Sequence, residues 1–169
     1  MVEIYLFVNP LGGVCLEIEK EIIQLSVNDK KKIQLRFIPL LNMKTINEFL
    51  SRQHIPINDI KRRNRIFEDL YSAALDYKAA QLQGRKKGRQ LLIGLQKAVA
   101  EDGLAYSPEL SEELLLAAGG DIDMYRKTDN PILSKNLSKP TKKLLEKWGL
   151  NNILPQSFTT ILARTISAF

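Results

Sequence analysis

Cys15 is the chain's one cysteine and His54 its one histidine, so few side chains can do nucleophilic, redox or metal chemistry. A single thiol excludes an internal disulfide. Dithiol exchange needs an ionised, exposed thiol at a helix start and a second thiol one turn along to resolve the mixed disulfide. The sequence holds no second thiol, so that exchange cannot run within this chain, and no catalytic residue is assigned.

The other chemistry-bearing residues read as structural. Cys15 is expected to pack as a small hydrophobe rather than act as a sensor. Gly12-Gly13 could offer free amides to a phosphate or carboxylate, but the lysine of a Walker loop is missing from the sequence. His54 precedes Ile55-Pro56 with no cysteine or carboxylate cluster at ligand spacing, so it reads as a surface residue and no metal or cofactor is implied. Asp121 and Asp123 are two apart on a helix and do not face one another, which makes them a charged helix start rather than an acid–base pair.

Position 12 is set by the elements around it. VEIYLFV, Val2 to Val8, is a short β-branched and aromatic run that stops at Asn9-Pro10, which predicts a buried strand. Leu11-Gly12-Gly13 makes a tight loop, and Val14, Ile18, Ile22 and Leu25 recur at helical spacing. IQLRFI, Ile33 to Ile38, alternates and ends at Pro39, giving a second strand parallel to the first and a βαβ unit. In such a unit the first free amides of the helix point into the loop and create a positive field there.

From about Asp59 to Trp148 the pattern is helical with Gly and Pro punctuation. Ile66 to Ala80 lines one helix that ends near Gln83-Gly84, with Gly84 as its C-cap, and Gly88 to Ala100 forms the next. Ser107-Pro108 starts another that runs to Gly119-Gly120, Asp121 caps a further one, and Ser138-Pro140 opens a last one that Gly149 stops. Phe158 to Leu162 has strand composition and is expected to rejoin the sheet. The fold class is therefore α/β, with residues 1–58 and 149–169 forming one part and 59–148 an all-helical insertion.

FVNPLGGVC resembles the DsbA-like proteins of the thioredoxin superfamily, in which a strand ending in a proline-containing turn meets C-x-x-C at a helix start. On that resemblance Gly12, Gly13, Val14 and Cys15 occupy the dithiol places, with Gly12 where the nucleophile stands and Cys15 matching the second, buried cysteine. LDYKAAQLQGRKKG is similar to the helical insertion of the YjbH or SpxH type adaptors, a DsbA-like family that presents the redox-sensitive transcription regulator Spx to the ClpXP protease. The resemblance runs from Val2 to about Trp148. It implies a thioredoxin-like sheet, a non-catalytic adaptor and protein partners, an Spx-like regulator and ClpXP. It also implies a peptide-binding site at Pro10, Leu11, Gly12 and Cys15, with Leu154 and Pro155 as counterpart of the cis-proline that faces the site in such folds. The alternative it leaves open is a thiol-disulfide oxidoreductase or isomerase, or a glutathione transferase-like enzyme, of the same fold.

At 169 residues the chain has room for one core, and 44% hydrophobic with 26% charged residues suits a globular domain with no membrane span. Met1 to Val8 holds Glu3 and no basic region, and with one cysteine the expected compartment is the cytoplasm. The net charge of +6 favours an acidic partner. Its basic runs (Lys30 to Lys32, Lys61 to Arg65, Arg85 to Arg89 and Lys135 to Lys147) read as solvated faces rather than a nucleic-acid surface, since no zinc-finger or ribonucleoprotein motif accompanies them. Phe169 arrives where DsbA-like folds usually continue with a strand and a helix, so an open sheet edge and association, including a homo-oligomer, are expected.

Overall fold

The computed structural model describes residues 2–28, 33–41, 43–127 and 160–165. β1 (Val2–Val8) leads into α1 (Gly13–Asn28) and then β2 (Ile33–Pro39), the strand–helix–strand unit the periodicity predicts. β1 and β2 run parallel with Val2 opposite Ile33 and Val8 opposite Pro39. β3 (Thr160–Thr165) pairs antiparallel with β1, giving a three-stranded sheet of order β2-β1-β3. Strand character at the C-terminal end thus rejoins the sheet, shifted towards Thr165 from the expected Phe158 to Leu162, of which 158 and 159 lie outside the described residues.

Among the described residues, every regular element between β2 and β3 is a helix. α2 (Met43–Arg52) lies where no helix was expected, carried by Ile46, Phe49 and Leu50 at spacings of three and one. α3 (Ile60–Leu82) starts at Asp59, whose carboxylate accepts from the Arg62 N–H at 3.1 Å, and stops at Gln83. Gly84 follows with φ +139°, so it is the hinge between two helices and the N-cap residue of the next rather than the C-cap.

α4 (Arg85–Gln96) begins one turn before the expected Gly88. Gly88 is instead an interior position: a Cβ there would lie 2.9 Å from the Gln81 Cα, so its absence lets α4 close onto α3. The last turn of this helix widens into a π-helical turn, Lys97–Glu101. Ser107 caps α5 (Pro108–Ala117) by accepting from the Leu110 N–H at 3.2 Å. α5 ends before Gly119, which takes φ +73°, and Asp121 caps α6 (Ile122–Lys127) through the Met124 N–H at 3.0 Å. The helix expected from Ser138 lies outside the described residues.

Two apolar clusters hold these elements together. Leu6, Val8 and Phe37 of the sheet pack on Ile22 of α1, Tyr77 of α3 and Leu92 of α4. Ile46, Leu50, Leu70, Leu91, Leu95 and Leu115 join α2 to α5 in a second cluster that takes in Leu11 of the loop after β1. Burying leucines of this kind is worth roughly 1.5–3 kcal/mol each, which is why helices without strong caps stay folded. Asp76 of α3 accepts from Tyr106 at 2.7 Å and from the Ser111 hydroxyl, pinning the α5 end of the bundle. No helix of the described residues is long and apolar enough to cross a membrane.

Candidate functional site

The loop between β1 and α1 is a turn built by its own residue types. Asn9 stands at its first position and Pro10 at its second, the places where an amide side chain and a fixed φ are most useful. The Gly12 N–H donates to the Asn9 carbonyl at 3.1 Å, and the Leu11 N–H donates to Asn9 Oδ1 at 3.0 Å. Pro10, Leu11 and Gly12 are buried by it.

Space around the two glycines is closed. A Cβ on Gly12 would meet the Asn9 Cβ at 3.0 Å, and one on Gly13 would meet the Ala100 Cβ at 2.8 Å. The first contact requires the Asn9 side chain to give by a few tenths of an ångström; the second cannot be accommodated without movement of the π-helical turn. Neither glycine has a positive φ, so space, not backbone conformation, accounts for them.

A cleft of about 330 Å³ opens at this helix start. Leu11, Gly12 and Gly13 form one wall, Phe49 and Arg52 of α2 a second, and Ala100 and Glu101 of the π-helical turn a third. Lys20 of α1 pairs with Glu101 at 3.2 Å across the outer rim. Its lining mixes apolar Leu11, Phe49 and Ala100 with charges of both signs, Arg52 against Glu17 and Glu101.

Beneath the cleft lies a buried polar cluster. The Gln96 amide donates from Nε2 to the Asn9 carbonyl at 3.0 Å and to Glu19 Oε1 at 2.9 Å. Glu19 and Gln96 are fully buried. Burial pushes the Glu19 carboxyl up to about 7, opposed by the Gln96 hydrogen bond. A carboxyl that can hold its proton near neutrality avoids the cost of a buried, unpaired charge. The cluster joins the loop after β1 to α1 and α4 at the residue where α4 becomes π-helical, a distortion that often marks functional positions.

Of the expected site residues, Leu11, Gly12 and Gly13 come together at the cleft and Pro10 supports the turn. Val14 and Cys15 lie in the first turn of α1, with their side chains outside the described residues. Leu154 and Pro155 lie outside the described residues altogether. His54 is exposed in the turn after α2. Among the described residues no group of three or more His, Cys, Asp or Glu could hold a metal.

Phe49, Arg52, Glu101, Glu19 and Gln96 lie outside the residues the sequence points to, and Asn9 and Ala100 figure there only as element ends. Glu19 did leave a trace, because it falls at helical spacing between Cys15 and Ile22 inside an apolar stripe. Gln96 left none: its partner Asn9 is 87 positions away.

A family model described as thioredoxin matches residues 5–152, from within β1 through the turn, α1 and the helices packed on them. The chain belongs to the thioredoxin family. It is a thioredoxin-like domain, mostly helical, around a small sheet. This thioredoxin-family chain is similar to the ClpXP adapter protein SpxH of Bacillus subtilis, 28% identical over an alignment of 113 residues, with 57% of this chain and 38% of that protein covered. It is also 27% identical over 130 residues to the ClpXP adapter protein SpxH of Bacillus licheniformis, covering 69% of this chain and 42% of that protein. The chain spans less than half the length of these curated relatives.

Proposed function

We propose that this chain is a redox-degenerate, DsbA-like adaptor that binds a regulator of the Spx type and promotes its degradation by ClpXP. The observation that carries the reading is glycine at position 12, packed against Asn9, at the place where a dithiol enzyme would hold its nucleophile. With no sulfur there, the helix start, its turn and the cleft walled by Phe49 and Ala100 are left as a surface for another polypeptide. Similarity to two proteins named ClpXP adapter protein SpxH supports the same choice of partner.

In this proposal residues 1–58 and 149–169 form the thioredoxin-like part and 59–148 the helical insertion. The peptide-binding residues are Pro10, Leu11, Gly12 and Cys15 with Leu154 and Pro155, and the protein works in the cytoplasm without a cofactor. A calorimetric titration of purified Spx into the chain tests it. Saturable binding at one-to-one stoichiometry, weakened by Phe49→Ala, is the expected result; no heat of binding refutes it.

A thiol oxidoreductase or glutathione transferase-like enzyme is the second reading, favoured by one feature, the buried Glu19 carboxyl one helical turn beyond Cys15, with its pKa about 7. Insulin reduction or glutathione conjugation with repeated turnover, abolished by Cys15→Ser, would establish it in place of the first.

A further inference from the structure

Among the described residues, β2 is the outer strand on its side of the sheet. In a strand each residue turns its N–H and C=O to the same side, and successive residues alternate. The Leu40 N–H donates to the Val8 carbonyl at 2.9 Å, so the even-numbered residues back to Gln34 address β1. Ile33, Leu35, Phe37 and Pro39 therefore turn their backbone groups to the opposite side. Proline is tolerated there because it has no N–H to leave unpaired on an edge.

The outward row is partly used. The Tyr77 hydroxyl donates to the Phe37 carbonyl at 3.1 Å. The Phe37 N–H and both backbone groups of Leu35 stand as ladder positions, and no strand of the described residues pairs with them.

A groove of about 550 Å³ runs beside this edge, between β2 and the α3–α4 hairpin. Lys78, Arg85, Lys86 and Arg89 line its helical wall. The ion pairs of the described residues join Lys20 to Glu101, Arg36 to Glu3, Arg62 to Asp59 and Arg126 to Glu112, and none of them involves these four cations. Burial lowers the Lys78 pKa, as expected of an ammonium that a carboxylate would stabilise.

We propose that the β2 edge is a docking surface for an extended, carboxylate-rich segment of a partner protein. The segment adds a strand at Leu35 and Phe37 and sets its acidic side chains against Arg85, Lys86 and Arg89. Strand addition supplies main-chain affinity, and the cations supply selection for negative charge. The chain's own stretch 128–159 has the wrong sign for this role, with Lys135, Lys139, Lys142, Lys143 and Lys147 against Asp129 and Glu146. A nucleic acid matches the cations but makes no use of ladder donors. The groove shares no lining residue with the cleft at the α1 start, so this inference stands or falls apart from the adaptor reading.

The test uses a fluorescein-labelled peptide of alternating Val and Glu, its Val and Lys counterpart, and a single-stranded oligothymidylate. The acidic peptide is expected to bind, to lose at least about tenfold in affinity in the Arg85→Glu/Lys86→Glu variant, and to slow amide exchange at Leu35 and Phe37 of the full chain. Four results overturn the proposal: unchanged exchange at those amides under saturating peptide, equal binding of the basic peptide, tighter binding of the oligonucleotide, or protection of both amides before any peptide is added. The exchange measurement on the unaltered chain decides the matter even where the double variant does not fold.

Discussion

The Cβ that Gly13 lacks would stand 2.8 Å from the Cβ of Ala100, closer than side-chain carbons approach. The first residue of α1 thus abuts the π-helical turn that follows α4, and this one contact fixes two of the three walls of the cleft. Gly13→Ala is expected to lower unfolding free energy by about 1–3 kcal/mol through overpacking. Adding Ala100→Gly should recover part of that loss, so a double-mutant cycle in urea gives a favourable coupling. Additive losses would show that the two residues do not touch.

Gly88 and Gly94 lie on the same helix and predict opposite outcomes. A Cβ at Gly88 meets Gln81 backbone, with the Cα at 2.9 Å and the nitrogen at 3.0 Å, and backbone cannot rotate away. Gly88→Ala should cost about 2 kcal/mol or more despite the better helix propensity of alanine. At Gly94 the nearest atom is the Leu114 Cδ2 at 3.1 Å, the end of a mobile side chain, so Gly94→Ala is expected within about 1 kcal/mol of the parent. Chemical denaturation of both variants separates the two cases.

Glu19 makes stability depend on pH in a defined direction. Below the ordinary carboxyl value of 4.5 it is protonated whether folded or unfolded, and its burial carries no charge. Above that value the unfolded chain releases the proton while the folded chain keeps it up to about 7, so the folded state loses stability as pH rises through this window. The loss is on the order of 3 kcal/mol once the window is passed. Glu19→Gln should flatten the profile relative to the parent and raise stability at about pH 8. Urea midpoints at about pH 5 and about pH 8 give the comparison, and identical profiles would place the Glu19 proton elsewhere.

Sequence and structure agree most closely where local pattern decides. β1 and β2 were legible because β-branched runs end at Asn9-Pro10 and at Pro39, and α5 because Ser107-Pro108 caps it. α2 was missed although Ile46, Phe49 and Leu50 carried its signal, because ten residues give periodicity little room. Gly88 stands inside α4 rather than at its start, and only the approach of Gln81 shows why a glycine belongs there. The site was half legible. Its glycines and turn are local, whereas the Gln96 link to Asn9 and Glu19 and the Ala100 wall depend on contacts across the chain that no periodicity encodes.

Gly12→Cys examines whether position 12 is the vacated nucleophile place. The contact with the Asn9 Cβ at 3.0 Å asks that side chain to shift slightly, and the new thiol then stands three positions before Cys15, the spacing of a dithiol pair. Thiol titration should count two free thiols in the reduced variant and none after oxidation, and insulin reduction should appear in the variant alone. Two thiols that never pair would remove Gly12 from the dithiol mapping.

A degradation time course decides between a surface that hands over a protein and one that does something else. Purified ClpXP, ATP and Spx are incubated with and without stoichiometric amounts of this chain. Faster loss of Spx in its presence, unaffected by Cys15→Ser, is the expected outcome. Spx that persists equally long in both reactions would contradict the adaptor role outright.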